Sequence, residues 1–526
     1  MPHLSSWLSL ATCALLAGVC YLAIRLILSS RAFKERTRGL PLPPGPKPYP
    51  LIGNLLHLPK GIAWHGYAEM CRKYGGMVYL DLGHRPLLVL DDLKVINELL
   101  DKRSAIYSSR ITTGMFELVG WDWNLGMMPY GPRWRENRRV LWSHFHPSVV
   151  LKYEPAQRAS VRRCLLRLLH SPERLVEHVR YSLGATMIEA TYGLQAADTH
   201  DKYIAASDEG MKVLDLLVSG SSVFEFFPRL ARVPTWLPFT QSVRRIHEAR
   251  RNLAIMRDLP WEDARKQMAA GESSENCTMH DLVESFASLK GHAAAEGEEN
   301  AKSIAAVVYS AGIDTTFTVI SGFFAAIARH PEVQARARAE LDAVVGPHRL
   351  PTLADRAALP YVDAVLKETM RWHVSAPLGV PHVCTADDEY GGMFIPAGTA
   401  IMVNIWSIMH NPEQFPQPEV FDPDRYFKHG KLDLGAGDPS VVFGFGRRIC
   451  PGRHFAESVA WLYVASILHT LDVSLPLDAN GAPVDEPLKI SPGWRGDVIE
   501  NLRCTIRPRS AAAEDLIRNG ERRDED

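Results

Sequence analysis

The sequence contains no C-x-x-C pair. Its eight cysteines are scattered over positions 13, 20, 71, 164, 277, 384, 450 and 504. This spacing argues against a structural zinc site and a disulfide scaffold, and it is typical of a reducing compartment. The chain also lacks an excess of charge of either sign, since its formal net charge is −1. A strongly basic nucleic-acid-binding protein and an acidic disordered chain are thereby excluded.

An apolar run without charge stands at the amino terminus, from Trp7 to Ile24. About 20 mostly apolar residues are enough to span a bilayer as a helix. A cleaved signal peptide is the alternative, but little positive charge precedes the run and no small-residue cleavage site follows it. Basic residues come after the run instead: Arg25, Arg31, Lys34, Arg36 and Arg38. By the positive-inside rule, this order predicts a single-pass anchor with the remainder of the chain in the cytosol.

The chain shows no internal repeat, and no change of composition marks a second globular domain. We therefore predict an anchor at 1–30, a basic and proline-rich linker at 31–50, one catalytic domain at 51–510 and a charged flexible tail at 511–526. Within the linker, the prolines between Leu40 and Pro48 exclude a helix and favour a stiff polyproline-like arm.

The body of the chain is predicted to be mainly α with a small β subdomain. Alternating apolar residues at Met77–Leu82 and Pro86–Leu90 predict a hairpin. Another short strand pair is expected around Gly391-Gly392, and the last strands between 470 and 508. Apolar spacing with a period of 3.6 residues predicts helices over 150–190, 240–270, 301–329 and 331–345.

A glycine-rich loop near the carboxyl end surrounds one cysteine: Phe443-Gly444-Phe445-Gly446-Arg447-Arg448-Ile449-Cys450-Pro451-Gly452. A lone cysteine is usually a small buried apolar residue. Here an apolar helix is predicted to start just after Pro451-Gly452, so its dipole favours a thiolate at Cys450. Arg448 adds positive charge nearby. The loop therefore predicts a cysteine that can ligate a metal.

This segment resembles the haem-binding loop F-x-x-G-x-R-x-C-x-G of the cytochrome P-450 family. The resemblance implies the family's fold, haem b as the cofactor and Cys450 as the axial ligand of its iron. It identifies Phe443 and Arg448 as haem-contacting residues of the loop. A thiolate ligand pushes electron density towards iron and favours O–O cleavage.

Three further segments match the family's motifs. Glu368 and Arg371 form its E-x-x-R pair, for which Arg425 is the expected third partner, although a surface ion pair is the default for this spacing. Relatives usually have a proline shortly after this motif, where this chain has Val374. Trp134 and Arg138 match a W-x-x-x-R pair that contacts the haem propionates. His382 stands where relatives place another propionate partner, although a lone histidine is more often an ordinary surface residue.

The segment Ala311-Gly312-Ile313-Asp314-Thr315-Thr316 lies inside a long apolar helix and matches the family's oxygen-activating motif. A threonine inside a helix is commonly just bonded to its own backbone. The resemblance instead implies that Asp314 and Thr315 are catalytic and relay protons to bound dioxygen.

The resemblance implies a monooxygenase that oxidises a small apolar substrate. An isomerase or dehydratase that needs no electrons is the second hypothesis, and relatives of that kind commonly lack the acid–alcohol pair. A haem-based sensor is the third. The segment Phe116–Met128, with Trp121 and Trp123, falls where relatives line the substrate pocket, but it could equally be loop core.

Only 76 residues follow Cys450 (526 − 450), so we expect electrons from NADPH through a separate membrane-bound flavoprotein reductase. A basic helix with Arg133, Arg135, Arg138 and Arg139 could dock it, unless these charges form an ordinary solvated face. The chain is most similar to fungal microsomal members of the family. This similarity implies the endoplasmic reticulum membrane and a role in secondary-metabolite biosynthesis.

Overall fold

The computed structural model describes residues 33–83, 85–198, 200–214, 224, 229, 231, 233–237, 240–272, 276–491 and 498–520. The predicted membrane anchor at 1–30 lies outside these residues. Among the described helices, one is long and apolar enough to cross a membrane, His292–Ile327, and 67% of its most apolar window is buried inside the protein.

Helices dominate the described chain, as the apolar periodicity predicted. They are α1 (Ala63–Tyr74), α2 (Leu93–Ile96), α3 (Ser104–Tyr107), α4 (Gly114–Val119), α5 (Pro132–Phe145), α6 (Glu154–His170), α7 (Leu175–Tyr192), α8 (Lys202–Met211), α9 (Gln241–Ala270), α10 (Thr278–Phe286), α11 (His292–Ile327), α12 (Pro331–Val344), α13 (Pro360–Trp372), α14 (Ile405–Met409), α15 (Arg453–Thr470) and α16 (Ala511–Asn519).

The strands are short. They are β1 (Met77–Asp81), β2 (Pro86–Leu90), β3 (Ser109–Arg110), β4 (His382–Val383), β5 (Asp388–Tyr390), β6 (Met393–Ile395), β7 (Ala400–Val403), β8 (Phe427–Lys428), β9 (Lys431–Leu432), β10 (Leu471–Ser474), β11 (Ile490–Ser491), β12 (Val498–Ile499) and β13 (Thr505–Pro508).

The largest sheet has the order β1-β2-β7-β4-β3. The predicted hairpin β1–β2 is antiparallel, with Met77 opposite Leu90. Strand β7 then pairs parallel to β2, which brings a segment more than 300 residues later to the same sheet. The strand pair predicted around Gly391-Gly392 is β5–β6. Closing strands are also found where they were expected, with β10 paired to β13.

Helix α11 is the centre of the core because its carboxyl-terminal half is apolar on nearly every face. From Ile313 onward almost every side chain is buried, including Phe323 and Phe324 with no exposed surface. A helix that is apolar all round is stable only when other elements enclose it. Helices α7, α13 and α15 supply that enclosure.

The ion pair of Glu368 and Arg371 is buried and not a surface pair. Both side chains have no exposed surface. The Glu368 carboxylate accepts hydrogen bonds from Arg371 Nε and Nη2, both at 2.8 Å. It also accepts from Arg425 Nε and from the backbone N–H of Asp422, both at 3.0 Å. The predicted third partner is therefore in place, and α13 is fixed to the segment that precedes the cysteine loop.

Helix α13 ends at Trp372 without the proline that relatives usually have. His373 is its C-cap, and its N–H donates to Thr369 O. Val374, which stands in the region of the missing proline, is 2% exposed. The helix thus ends at Trp372 without a proline, through capping by His373 and apolar burial of Val374.

The prediction of a flexible tail from Ala511 is wrong for residues 511–519. They form α16, whose Ser510 hydroxyl caps the N–H of Ala513. Leu516 and Ile517 are buried on one face. Arg162 on α6 donates to the carbonyl oxygens of Ile517 and Arg518. A short apolar stripe, outnumbered by charges in the sequence, is sufficient here because α6 and α15 offer a surface to cover.

The proline-rich linker contacts the domain directly. Its Pro44 carbonyl accepts from Tyr79 N and its Pro41 carbonyl from Phe394 N. Arg36 forms a bidentate ion pair with Asp387. The described part of the linker is therefore held along the β sheets.

Candidate active site

A cavity of about 370 Å³ lies between α11 and the cysteine loop. Its volume falls within the range of about 300–1,000 Å³ that is usual for ligand pockets. Ala311, Gly312 and Thr315 of α11 line one wall, and Phe443, Gly444 and Cys450 line another. The loop and the helix predicted to carry the chemistry thus face one space.

The cysteine loop is held by its own backbone and by close packing. Cys450 N–H donates to Phe443 O at 2.8 Å. Gly446 has a φ of +56°, and a Cβ there would stand 1.9 Å from Leu100 O. Only glycine fits at such a position. The glycine of the motif therefore lets the loop lie directly against the chain at Leu100.

Burial raises the pKa of the Cys450 thiol, while the Gly452 backbone N–H and the charges of Arg138 and Arg453 act in the opposite direction. The prediction from the helix dipole alone is therefore incomplete, since desolvation is the larger effect. A metal ion bound to sulfur reverses this balance, because a coordinating thiol is deprotonated.

Four basic side chains line the same cavity: Arg110, Arg138, His382 and Arg448. Burial and the charge of Arg138 lower the pKa of Arg448 to about 9. Burial also lowers the pKa of Arg110 and Arg138. In the described part of the chain, no carboxylate lies within 4.0 Å of these guanidinium groups. The cavity therefore has buried positive charge without an acidic partner, which fits a cofactor with two carboxylates.

The arginines are fixed by backbone carbonyl groups. Arg448 donates to Ser108 O and Met128 O at 2.7 Å, and its guanidinium lies 4.3 Å from the centre of the Trp134 ring. Arg138 donates to Ile449 O in the cysteine loop. The predicted pair Trp134 and Arg138 thus meets the loop at one edge of the cavity. Trp134, Arg138 and Arg448 would hold the acidic groups of such a cofactor, and Cys450 would ligate its metal.

His382 is buried at the same edge, and its Nδ1 lies 2.8 Å from Tyr107 O. Desolvation and the nearby Arg110 lower its pKa well below the usual range, which favours the neutral imidazole. With Nδ1–H donating to the carbonyl, Nε2 has only a lone pair. His382 can therefore donate from Nε2 to a propionate only when its imidazole is protonated, and the negative charge of a propionate would favour that protonation. Its predicted role stays a prediction.

Arg110 was missed by the sequence analysis. It is the second of the two residues of β3. Its guanidinium donates to Gly126 O, Val380 O and Pro381 O. No motif in the sequence marks it. Its position depends on the pairing of β3 with β4, which joins residues more than 270 apart.

Thr315 and Asp314 are placed differently. Thr315 lines the cavity, and its hydroxyl donates to Ala311 O at 2.9 Å. Asp314 is buried but is not among the cavity-lining residues. Its carboxylate accepts from Arg180 Nη2 on α7 at 2.7 Å, and the same nitrogen reaches Asp208 on α8. The structure therefore brings Thr315, and not the Asp314 carboxylate, to the space above Cys450.

The prediction for Phe116–Met128 is correct for only part of that segment. Leu125 and Gly126 line the cavity. Trp121 and Trp123 are buried in the core instead, 3% and 6% exposed. The two tryptophans suggested a pocket wall in the sequence, but their side chains pack in the hydrophobic core.

Comparison with known proteins agrees with this geometry. The cytochrome P-450 family model matches residues 43–492. The chain is 38% identical over 488 residues to cytochrome P-450 monooxygenase COX2 of Coprinopsis cinerea, covering 92% of each chain. It is 36% identical over 509 residues to cytochrome P-450 monooxygenase ARMGADRAFT_974139 of Armillaria gallica, covering 96% of this chain and 99% of that protein.

These matches span the mainly helical domain, the cysteine loop and the segment of α11 that faces it. Membership implies a haem cofactor and oxidoreductase activity of the monooxygenase type. The cavity's cysteine and its uncompensated buried arginines are the residues that such a cofactor needs. The chain belongs to the cytochrome P-450 family.

Proposed function

We propose that this haem-thiolate monooxygenase uses O2 and electrons from a separate NADPH-dependent flavoprotein reductase to hydroxylate or otherwise oxidise an apolar organic substrate. The observation that carries the proposal is one cavity with Cys450 on one wall and the Thr315 hydroxyl on another. Haem b, held by Cys450, supplies oxygen binding and O–O cleavage when bound. Arg138, Arg448, Trp134 and His382 would hold its propionates, and Phe443 would pack against its face.

Thr315 is the proton-handling group of the cavity. Its hydroxyl currently donates to Ala311 O, which leaves the oxygen's lone pairs able to accept a hydrogen bond from water. Rotation of the hydroxyl redirects its proton into the cavity. Asp314 acts from behind Thr315, where its carboxylate is held by Arg180. It reaches the cavity through water or after leaving that cation.

The lining of the cavity favours an uncharged apolar substrate. Apolar side chains supply the wall near Thr315, among them Val307, Val308 and Val319. The acidic residue of the lining, Glu457, is already paired with Lys367 at 3.0 Å. Beside these valines a charged substrate would lose its hydration without gaining a partner, and the arginines of the cavity are assigned to the propionates.

The alternative is a haem-thiolate isomerase or dehydratase that needs no reductant. The Thr315 hydroxyl in the cavity favours oxygen activation over this alternative, since an electron-free reaction needs no proton delivery to dioxygen. A haem-based sensor is favoured even less, because it needs neither Thr315 nor an apolar cavity of this size.

The names of the relatives support the monooxygenase class alone. They are monooxygenases of the fungi Coprinopsis cinerea and Armillaria gallica. We propose that the chain acts in secondary-metabolite biosynthesis, anchored in the endoplasmic reticulum membrane by residues 1–30 with its catalytic domain in the cytosol. The predicted reductase is bound to the same membrane.

The test is turnover with defined electron donors. The full chain is expressed in membranes with an NADPH-dependent flavoprotein reductase, and products from a panel of terpenoid, polyketide and aromatic substrates are measured by mass spectrometry. Product that contains an atom of labelled O2 and requires NADPH supports the proposal. Product formed without NADPH would replace it with the isomerase or dehydratase alternative.

A further inference from the structure

The cavity contains two hydroxyl groups to which the proposed reaction gives no role. Thr316 of α11 and Ser375, in the loop after α13, both line it. Within the described residues, neither hydroxyl makes a hydrogen bond to the protein. A hydroxyl can donate one hydrogen bond and accept two. Both groups therefore keep their full bonding capacity for a molecule in the cavity.

Thr316 differs from its neighbours on α11 in this respect. Four hydroxyl-bearing residues of the helix donate to the carbonyl oxygen four positions earlier: Ser303, Ser310, Thr315 and Thr318. That bond is common for such residues inside helices, and Thr316 does not form it. Gly312 and Val319, four residues before and three residues after Thr316, also line the cavity. Thr316 thus belongs to the stripe of α11 that faces the cavity.

Ser375 approaches the same space from a loop that is packed against α11. His373, two residues earlier, lies so close to Gly322 of α11 that a Cβ on this glycine would stand 2.7 Å from the His373 ring. Gly322 follows Thr316 by six residues, which is about 9 Å along a helix axis. Ala376 also lines the cavity. The loop therefore brings a hydroxyl to an otherwise apolar part of the wall.

The other polar groups of the cavity already have a role or a partner. The basic side chains are assigned to the propionates, Glu457 is paired with Lys367, and Thr315 handles protons. Water that fills the cavity before substrate binds can satisfy the two remaining hydroxyls. A hydrocarbon would displace that water without replacing its hydrogen bonds, whereas an oxygen atom on the substrate would replace them.

We propose that the substrate is an uncharged apolar skeleton that already carries a hydroxyl group, and that Thr316 and Ser375 bind this group. The inference rests on the proposed function and narrows its apolar substrate to an alcohol. One alcohol group suits the pair, because it can donate to one protein hydroxyl and accept from the other. The two residues select and orient the substrate, and proton handling stays with Thr315.

The experiment measures ligand binding to the haem-loaded full chain in membranes, by titration of its ferric absorption spectrum. The ligands are the hydrocarbon and the corresponding mono-alcohol of three skeletons: decalin, cyclododecane and perhydrophenanthrene. Each Kd of a variant is divided by the wild-type Kd for the same ligand, so that partition of the ligand into the membrane cancels.

We expect the Kd of the best-binding alcohol to rise about twofold to tenfold in Ser375→Ala and in Thr316→Val, which is the usual effect of one lost hydrogen bond. The matching hydrocarbon should bind to both variants at least as well as to wild type. Ser375→Thr keeps a hydroxyl and should stay closer to wild type than Ser375→Ala. The control Ser310→Ala removes a hydroxyl that is bonded to its own helix outside the cavity lining and should change neither Kd.

An equal change of Kd for alcohol and hydrocarbon in both hydroxyl-free variants would overturn the proposal and assign their effect to cavity shape. Failure of all three alcohols to bind wild type would overturn it as well. The titrations need neither NADPH nor a reductase. Product formed without NADPH would therefore refute the proposed monooxygenase function and leave the hydroxyl-dependent binding intact.

Discussion

Replacement of Glu368 by alanine tests the buried ion-pair network most severely. The carboxylate accepts four hydrogen bonds, two from Arg371, one from Arg425 and one from the Asp422 backbone. Its removal leaves the Arg371 guanidinium, which has no exposed surface, without an anion. Two of the four donors belong to that guanidinium. Because the guanidinium is fully buried, water cannot replace the acceptor that these donors lose.

The cost of breaking a buried ion pair by removing one partner is about 3–5 kcal/mol. Total stability is typically about 5–15 kcal/mol, so the variant loses a large share of it. Arg371 keeps hydrogen bonds to Met409 O and Val420 O, which places the expected loss inside that range and not above it. Glu368→Gln, which keeps the shape and one acceptor oxygen, should lose less.

The assay is the yield of haem-loaded protein together with its thermal unfolding midpoint. The matched control is Glu177→Ala, which breaks an i,i+3 ion pair of the same residue types with both side chains about 60% exposed. That surface pair contributes about 0–1 kcal/mol. We expect normal loading for Glu177→Ala and little or none for Glu368→Ala. Glu368→Ala protein with normal haem content and an unchanged midpoint would refute the reasoning.

Three further predictions concern other positions. Thr315→Ala removes the cavity hydroxyl, so product per NADPH should fall by about 10²-fold while hydrogen peroxide rises. The control Thr318→Ala removes a back-bonded hydroxyl outside the cavity lining and should leave product per NADPH unchanged. Equal product per NADPH in both variants would exclude Thr315 from oxygen activation. Gly446→Ala places a Cβ 1.9 Å from Leu100 O and should abolish haem loading, unlike Gly131→Ala, where a Cβ meets nothing within 4 Å. Arg349 lowers the pKa of Asp355 to about 2. Asp355→Asn should therefore lower the free energy of unfolding by its full amount above about pH 4, and by less and less as the pH falls through about 2. A difference between variant and wild type that stays the same from pH 7 to pH 2 in urea titrations would contradict the ion pair.

The cysteine loop and the Glu368 network were predictable because their residues are close in sequence or belong to dense motifs. The loop's shape follows from glycines and a cysteine within ten positions, and E-x-x-R follows from one helical turn. The apolar periodicity of α11 likewise predicted a central helix. Local chemistry accounts for the loop and for α11, whereas the buried network of Glu368 with Arg425 was predicted from the family's motifs.

Other features depended on packing between distant segments. The sequence placed Asp314 beside Thr315, but adjacent residues on a helix point about 100° apart, and only the position of Arg180 on α7 decides which way the carboxylate goes. Arg110 reaches the cavity through the pairing of β3 with β4. The helix α16 exists because α6 and α15 leave a surface for Leu516 and Ile517. None of these neighbours is visible in the local sequence.

The central claim is that Cys450 is the thiolate ligand of the haem iron, and the most direct test is the ferrous carbon-monoxide difference spectrum of wild type beside Cys450→Ala. Wild type should show the strongly red-shifted band that thiolate ligation produces, and the variant should lose it. A Cys450→Ala protein that binds haem and retains the red-shifted band would contradict the assignment.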